Sequence, residues 1–168
     1  MKELNSNFIE ILESNKDMIL RICGAYASDL AEKQDLFQEV TIAIWKSLPS
    51  FQSNSSVSTW IYRIALNTCI RLSLRNKKSK METVKLTSVH LENLYEESHN
   101  QEHETQFTKL QSCIQQLQEP DRSIVLLHLE ELSHKEIAEI IGISENHVAV
   151  KMKRAKLKLL NCMNQDHG

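Results

Sequence analysis

Three groups of side chains in this 168-residue chain have the types and spacing to do chemistry. The first is a basic run near the end, Lys151, Lys153, Arg154, Lys156 and Lys158, preceded by Ser144, Asn146, His147, Ala149 and Val150, with no acid between Glu145 and Asp166. On a helix these residues form a surface whose cations can meet phosphates while its polar first turn meets base edges. The second is Arg63, Asn67, Arg71 and Arg75, spaced every four residues behind Trp60 and Tyr62. That spacing puts them on one helical face, and aromatic rings at its mouth suit unstacked bases. The third is His99-Asn100-Gln101-Glu102-His103, which matches the H-x-x-E-H pattern of inverted zinc peptidases. Five residues in a polar stretch bring no third ligand, so zinc hydrolysis ranks last among the readings. No catalytic residue, metal or cofactor is assigned, and the chain reads as a non-enzyme.

The elements that must position these groups are helices. Ser133 with Glu136 three residues on is a capping box, so a helix opens there. Gly142 can take the positive φ that ends it, and Ser144 can cap a second helix, which makes a helix-turn-helix. Ile137, Ala138 and Ile141 are expected inside the first helix, and Val148, Met152, Ala155 and Leu159 form one stripe on the second. Upstream, residues 5–27 carry Phe8, Ile19, Ile22, Cys23 and Tyr26 at helical spacing. A further helix is expected over Leu30–Leu48, with Phe37, Val40, Ile44 and Leu48 inside and Asp35, Gln38 and Glu39 outside. Phe51–Val57 reads as a polar loop, with Ser58 capping a helix from Thr59 to about Arg75. Ile61, Ile64, Ala65, Thr68 and Leu72 are its apolar stripe. Helical spacing resumes from about Thr105 to Leu117, breaks at Pro120, and restarts with Asp121 as cap for Ile124–Leu129.

Three glycines and two prolines favour long helices. The formal charge of −2 excludes a generally polybasic binder, but the charge is segregated. Six cations and no acid fall between Arg63 and Lys80, and no lysine or arginine falls between Leu86 and Thr108. The expected fold is therefore all-α: two small helical domains over 1–80 and 107–168, joined by a flexible, polar linker over 81–106, the second domain a helix-turn-helix. Cys23, Cys69, Cys113 and Cys162 each stand more than forty residues from the next, with no C-x-x-C pair. Each is read as a small buried apolar residue in a reduced chain. No signal-peptide core or membrane-length apolar run is present, so a cytoplasmic location without membrane insertion is expected.

Taken together, the motifs resemble the extracytoplasmic-function (ECF) group of sigma factors, bacterial promoter-recognition subunits of RNA polymerase. Asp35-Leu36-Phe37-Gln38-Glu39-Val40 through Ile42, Trp45 and Leu48 resembles the family's D-L-x-Q-E-V segment. The resemblance implies that Asp35, Gln38, Glu39, Ile42 and Trp45 dock on the beta-prime clamp helices of core polymerase. Ser58-Thr59-Trp60-Ile61-Tyr62-Arg63-Ile64-Ala65-Leu66-Asn67 resembles the family's T-W-L-Y-R-I-A-x-N segment, which implies that Phe51, Ser55, Ser56, Trp60, Arg63, Asn67, Arg71 and Arg75 read and help melt the −10 element. Leu132–Leu159 resembles the family's C-terminal helix-turn-helix, which implies −35 recognition by Ser144, Asn146, His147, Ala149, Val150, Lys151, Lys153, Arg154 and Lys156. The partners so implied are core polymerase, including its beta flap, promoter DNA and an anti-sigma factor. His147-Val148-Ala149-Val150-Lys151 departs from the family's usual Thr-Val-x-Ser-Arg, losing an arginine fork and a hydroxyl, which alters the bases contacted. The alternatives are a stand-alone helix-turn-helix regulator of duplex DNA and, from the enzyme class, a zinc hydrolase using His99 and His103.

Overall fold

The structure, a computed structural model, describes residues 2–82 and 101–165. Seven α-helices and one short 3-10 turn make up its regular structure, with no strand among the described residues. They are α1 (Lys2–Tyr26), α2 (Leu30–Ser47), α3 (Val57–Glu82), α4 (Gln101–Gln116), α5 (Asp121–Leu129), α6 (His134–Ile141) and α7 (Glu145–Asn164). The all-α expectation holds. No helix among the described residues is long and apolar enough to cross a membrane.

Helices α1, α2 and α3 pack on one another as a three-helix unit. Ile19, Ile22 and Cys23 of α1 meet Val40 and Ile44 of α2 and Ile61, Ala65 and Cys69 of α3 at a solvent-free centre. Burying an isoleucine completely contributes about 1.5–3 kcal/mol, so these side chains dominate the unit's cohesion. Asp29 caps α2 by accepting from the Glu32 amide at 2.8 Å. The cap of α3 is Ser56 rather than the expected Ser58, its hydroxyl accepting from the Thr59 amide at 3.1 Å. Ser56 lies three residues before Thr59, the reach a cap requires, whereas Ser58 lies inside the first turn.

Two helices also extend beyond their expected limits. α3 runs past Arg75 to Glu82, where good helix formers and the cations Lys77 and Lys78 favour continuation. α4 begins at Gln101, before the expected Thr105. Residues 83–100 of the expected linker lie outside the described residues, as does His99 of the H-x-x-E-H segment.

Helices α4 to α7 form the second unit, closed by α7 against α4, α5 and α6. Pro120, not Asp121, occupies the cap position of α5. Asp121 instead turns to α7, accepting from Lys158 Nζ at 2.6 Å. The Ser133/Glu136 capping box is complete, and Gly142 ends α6 at φ 84° in the left-handed region that favours glycine. Ser144 then caps α7 by accepting from the His147 amide at 3.2 Å. Along α6, Ile137 and Ile140 are the buried residues, whereas Ala138 and Ile141 are only half-buried. The helix is therefore turned slightly from the face expected.

The cysteine expectation needs correction. Cys113 of α4 and Cys162 of α7 form a disulfide. Sequence distance set no limit on this contact, because packing α7 along α4 brings the two residues together.

The Ser133 backbone amide and then its hydroxyl hold the Glu136 carboxyl below the usual glutamate range. A carboxylate depressed in the folded state stabilises it above the unfolded pKa, and that contribution is lost as pH falls through the folded value. Glu136→Gln should therefore remove one acid-labile component of helicity, read as a smaller loss of far-ultraviolet circular dichroism on acidification. An identical acid titration in variant and parent would contradict the assignment.

Candidate nucleic-acid and polymerase interfaces

Three surfaces left over by core packing carry the sequence motifs. On α2, burying Leu36, Val40 and Ile44 forces Asp35, Gln38, Glu39, Ile42 and Trp45 outward, and all five are exposed. Ile42 and Trp45 retain 46% and 40% of their surface in solvent, which leaves a half-apolar, half-acidic face. Trp45 is steadied by Phe8 of α1, edge to face at 5.0 Å between ring centroids. Asp35, Gln38 and Glu39 also line a groove between α2 and α3 that ends at Arg75 and Asn76.

On α3, Ile61, Ala65, Thr68 and Leu72 turn inward, and Arg63, Asn67, Arg71 and Arg75 stand exposed on the other side. At its mouth Phe51 and Trp60 are half-buried against each other, with ring centroids 4.8 Å apart and planes tilted by 37°. Ser55 is half-buried and Ser56 is exposed, its hydroxyl occupied as the α3 cap.

On α7, Val148, Met152 and Ala155 are buried, so Asn146, His147, Val150, Lys153, Arg154 and Lys156 project outward, with Ala149 half-buried. Ser144 is engaged at the cap. Lys151 differs from its neighbours: it is half-buried, with its ammonium 4.0 Å from the Asp121 carboxylate.

Sequence reasoning missed how the two helical units meet. Arg21 of α1 holds Glu130, just after α5, with two nitrogens at 2.5 and 2.7 Å. Burial first, then the Glu130 carboxylate beside it, pushes the Tyr62 phenol up to about 12. The Tyr26 hydroxyl donates to Glu119 and lies 3.1 Å from the Ser123 hydroxyl. The Arg122 guanidinium stacks over the Tyr26 ring at 5.0 Å. Gln115 of α4 donates to the Ala27 carbonyl at 3.1 Å. Most consequentially, Arg63 Nη2 donates to the Glu139 carbonyl of α6 at 2.7 Å. Arg63 and Asn67 therefore line a cleft whose other wall is Pro120, Ile140 and Ile141. These partners stand too far apart in sequence for a local motif to report them.

Comparison with known proteins agrees with this geometry. The Sigma-70 region 2 family matches residues 11–79, and the Sigma-70, region 4 family matches residues 107–159. The ECF RNA polymerase sigma factor SigW of Bacillus subtilis is 29% identical over 158 residues, covering 89% of this chain and 84% of that protein. The RNA polymerase sigma factor YlaC of the same organism is 30% identical over 132 residues, covering 77% and 76% respectively. In solved structures, CnrH in complex with the cytosolic domain of CnrY superposes with a TM-score of 0.70 at 18% identity, covering 96% of this chain and 90% of that one. The sigma factor RpoE in complex with the anti-sigma factor NepR from Bartonella quintana superposes at 0.68 with 17% identity, covering 99% and 100%. At such identity these two likenesses establish the fold. The chain belongs to the RNA polymerase sigma factors, in their ECF group.

The Arg21–Glu130 pair predicts a measurable coupling between the units. Arg21 is 59% exposed, so solvent screens the pair, and a double-mutant cycle on Arg21→Ala and Glu130→Ala should give on the order of 0.5–1 kcal/mol. The coupling should shrink with added salt. Zero coupling at low salt would mean that the contact holds nothing together.

Proposed function

We propose that residues 1–80 bind core RNA polymerase and the −10 element, that residues 107–168 bind the −35 element, and that 81–106 link them. Docking uses Asp35, Gln38, Glu39, Ile42 and Trp45. The −10 surface is Phe51, Ser55, Ser56, Trp60, Arg63, Asn67, Arg71 and Arg75. The −35 surface is Asn146, His147, Ala149, Val150, Lys153, Arg154 and Lys156, with Ser144 holding the first turn in place and Lys151 joining once it leaves Asp121. The observation that carries this reading is that one acidic-apolar face and two cationic faces, on three helices in chain order, are all spared by core packing. The chain contributes no catalytic group, acts in the cytoplasm, and takes an anti-sigma protein as a further partner. Both solved relatives named above carry such a protein or another bound chain.

Promoter contact follows from ordinary recognition physics. Lysines and Arg154 neutralise duplex phosphates, while Asn146 and His147 face base edges in the major groove. At the −10 element, unstacking a base costs a few kcal/mol, offset by contacts to the exposed base and by cations along its strand. The packed arrangement of the two units is incompatible with simultaneous contact. Elements about 25 base pairs apart lie roughly 85 Å apart along duplex DNA at about 3.4 Å per pair. A compact chain of this length is only about 40 Å across. The units therefore part on the polymerase, breaking the Arg63–Glu139 contact and freeing the first arginine of the stripe.

Run-off transcription with purified core polymerase tests the reading. A defined start that needs this protein is expected, and Gln38→Ala with Glu39→Ala should weaken polymerase binding at least about tenfold while leaving the second unit folded. Lys153→Ala should lower the log–log salt slope of −35 duplex binding by about 0.9. Duplex binding with no polymerase association would instead favour a stand-alone regulator.

A further inference from the structure

Although the four cysteines are widely spaced in sequence, each lies beside another in space. Cys23 and Cys69 face each other across α1 and α3 with sulfurs 3.9 Å apart, both without solvent exposure. Its hydrogen bond with Cys23, together with burial, pushes the Cys69 thiol well above the ordinary range, so it stays protonated and inert. The second pair differs in access. Cys113 is buried, but Cys162, near the end of α7, is half-buried and open to small reactants.

What the second pair holds is the far end of α7. Up to Ala155 the helix is anchored by buried side chains, but beyond it Leu159 is half-buried and Leu157 and Leu160 are exposed. The Lys158–Asp121 ion pair has a lysine that is 58% exposed, and such surface pairs contribute little. The bond to Cys113 is therefore the main tie of the segment that continues directly from Lys153, Arg154 and Lys156.

We propose that Cys113 and Cys162 form a reversible thiol–disulfide site, oxidised by hydrogen peroxide and reduced by small thiols, that sets how firmly α7 is held. The Cys162 thiolate attacks one peroxide oxygen, the O–O bond breaks, and the departing hydroxide takes up a proton to become water, leaving a sulfenic acid. The Cys113 sulfur then attacks the Cys162 sulfur, and the sulfenic oxygen leaves with the Cys113 proton as a second water. Two thiols lose two electrons, and peroxide gains them. Two small thiols reverse the step by exchange, leaving as their own disulfide. The bonded form keeps α7 helical to its end, and the reduced form frays back towards Ala155, loosening Lys156. The consequence for promoter binding rests on the −35 assignment above, whereas the thiol chemistry does not.

The test uses the full chain, reduced and then treated with peroxide, followed by alkylation and mass analysis. With alkylation carried out after denaturation, so that buried Cys23 and Cys69 also react, four alkylated cysteines are expected before peroxide and two after, with Cys113 and Cys162 protected. Amide hydrogen exchange over residues 156–164 should be at least about tenfold slower in the oxidised chain, and its unfolding midpoint should be higher by about 5–10 °C. Cys162→Ser should abolish all three responses. Four reactive thiols after peroxide, or equal exchange at 156–164 in both states, overturns the proposal. The oxidised chain should bind a −35 duplex about three- to tenfold more tightly, and equal affinity of the two states overturns the coupling. A chain that shows the thiol and exchange responses but binds no duplex in either state supports the redox site and counts against the −35 assignment.

Discussion

Helix α7 must satisfy two demands at once, and the second unit depends on their being compatible. One side closes the core through Val148, Met152 and Ala155, and the other holds Lys153, Arg154 and Lys156 out to solvent. A helix can do both because residues three and four apart share a side, which separates a narrow apolar stripe from everything else. Its direction is set by three small residues in a row of local rules: Ser133 starts α6, Gly142 ends it, and Ser144 starts α7. Altering the turn would swing the cationic side relative to the core without changing a single residue on it.

The same economy of stripes governs the first unit. Once Leu36, Val40 and Ile44 are committed to the interior, Asp35, Gln38, Glu39, Ile42 and Trp45 have nowhere to go but outward. Trp45 is the informative case, because leaving an indole 40% exposed forgoes apolar burial that a neighbouring turn could have supplied. Such a residue, set beside acids and resting on Phe8, fits a surface completed by another protein.

The two units share a seam in which polar contacts border buried apolar side chains, Leu66 of α3 and Ile140 of α6 among them. Arg21–Glu130, Tyr26–Glu119 and Arg63–Glu139 are contacts that water can replace on separation. A junction of this kind can hold a closed form and still release it to a machine that binds both sides more strongly. Placing Arg63 in that seam ties its guanidinium to the Glu139 carbonyl of the other unit. The disulfide between α4 and α7 lies within the second unit, so it stiffens that unit without chaining the two together.

The individual helices, the capping box, the left-handed glycine and the three outward surfaces were readable from residue types and spacing, because each depends on neighbours within a few positions. Even there local ambiguity left small errors. Ser56 rather than Ser58 caps α3, Asp121 pairs with Lys158 rather than capping α5, and Ile140 rather than Ile141 turns fully inward. Tertiary packing alone decided the seam between the units, the partial withdrawal of Lys151, and the pairing of all four cysteines. Those outcomes join residues from 30 to 109 positions apart. No local spacing encodes such contacts, since they arise only when separate helices are packed side by side.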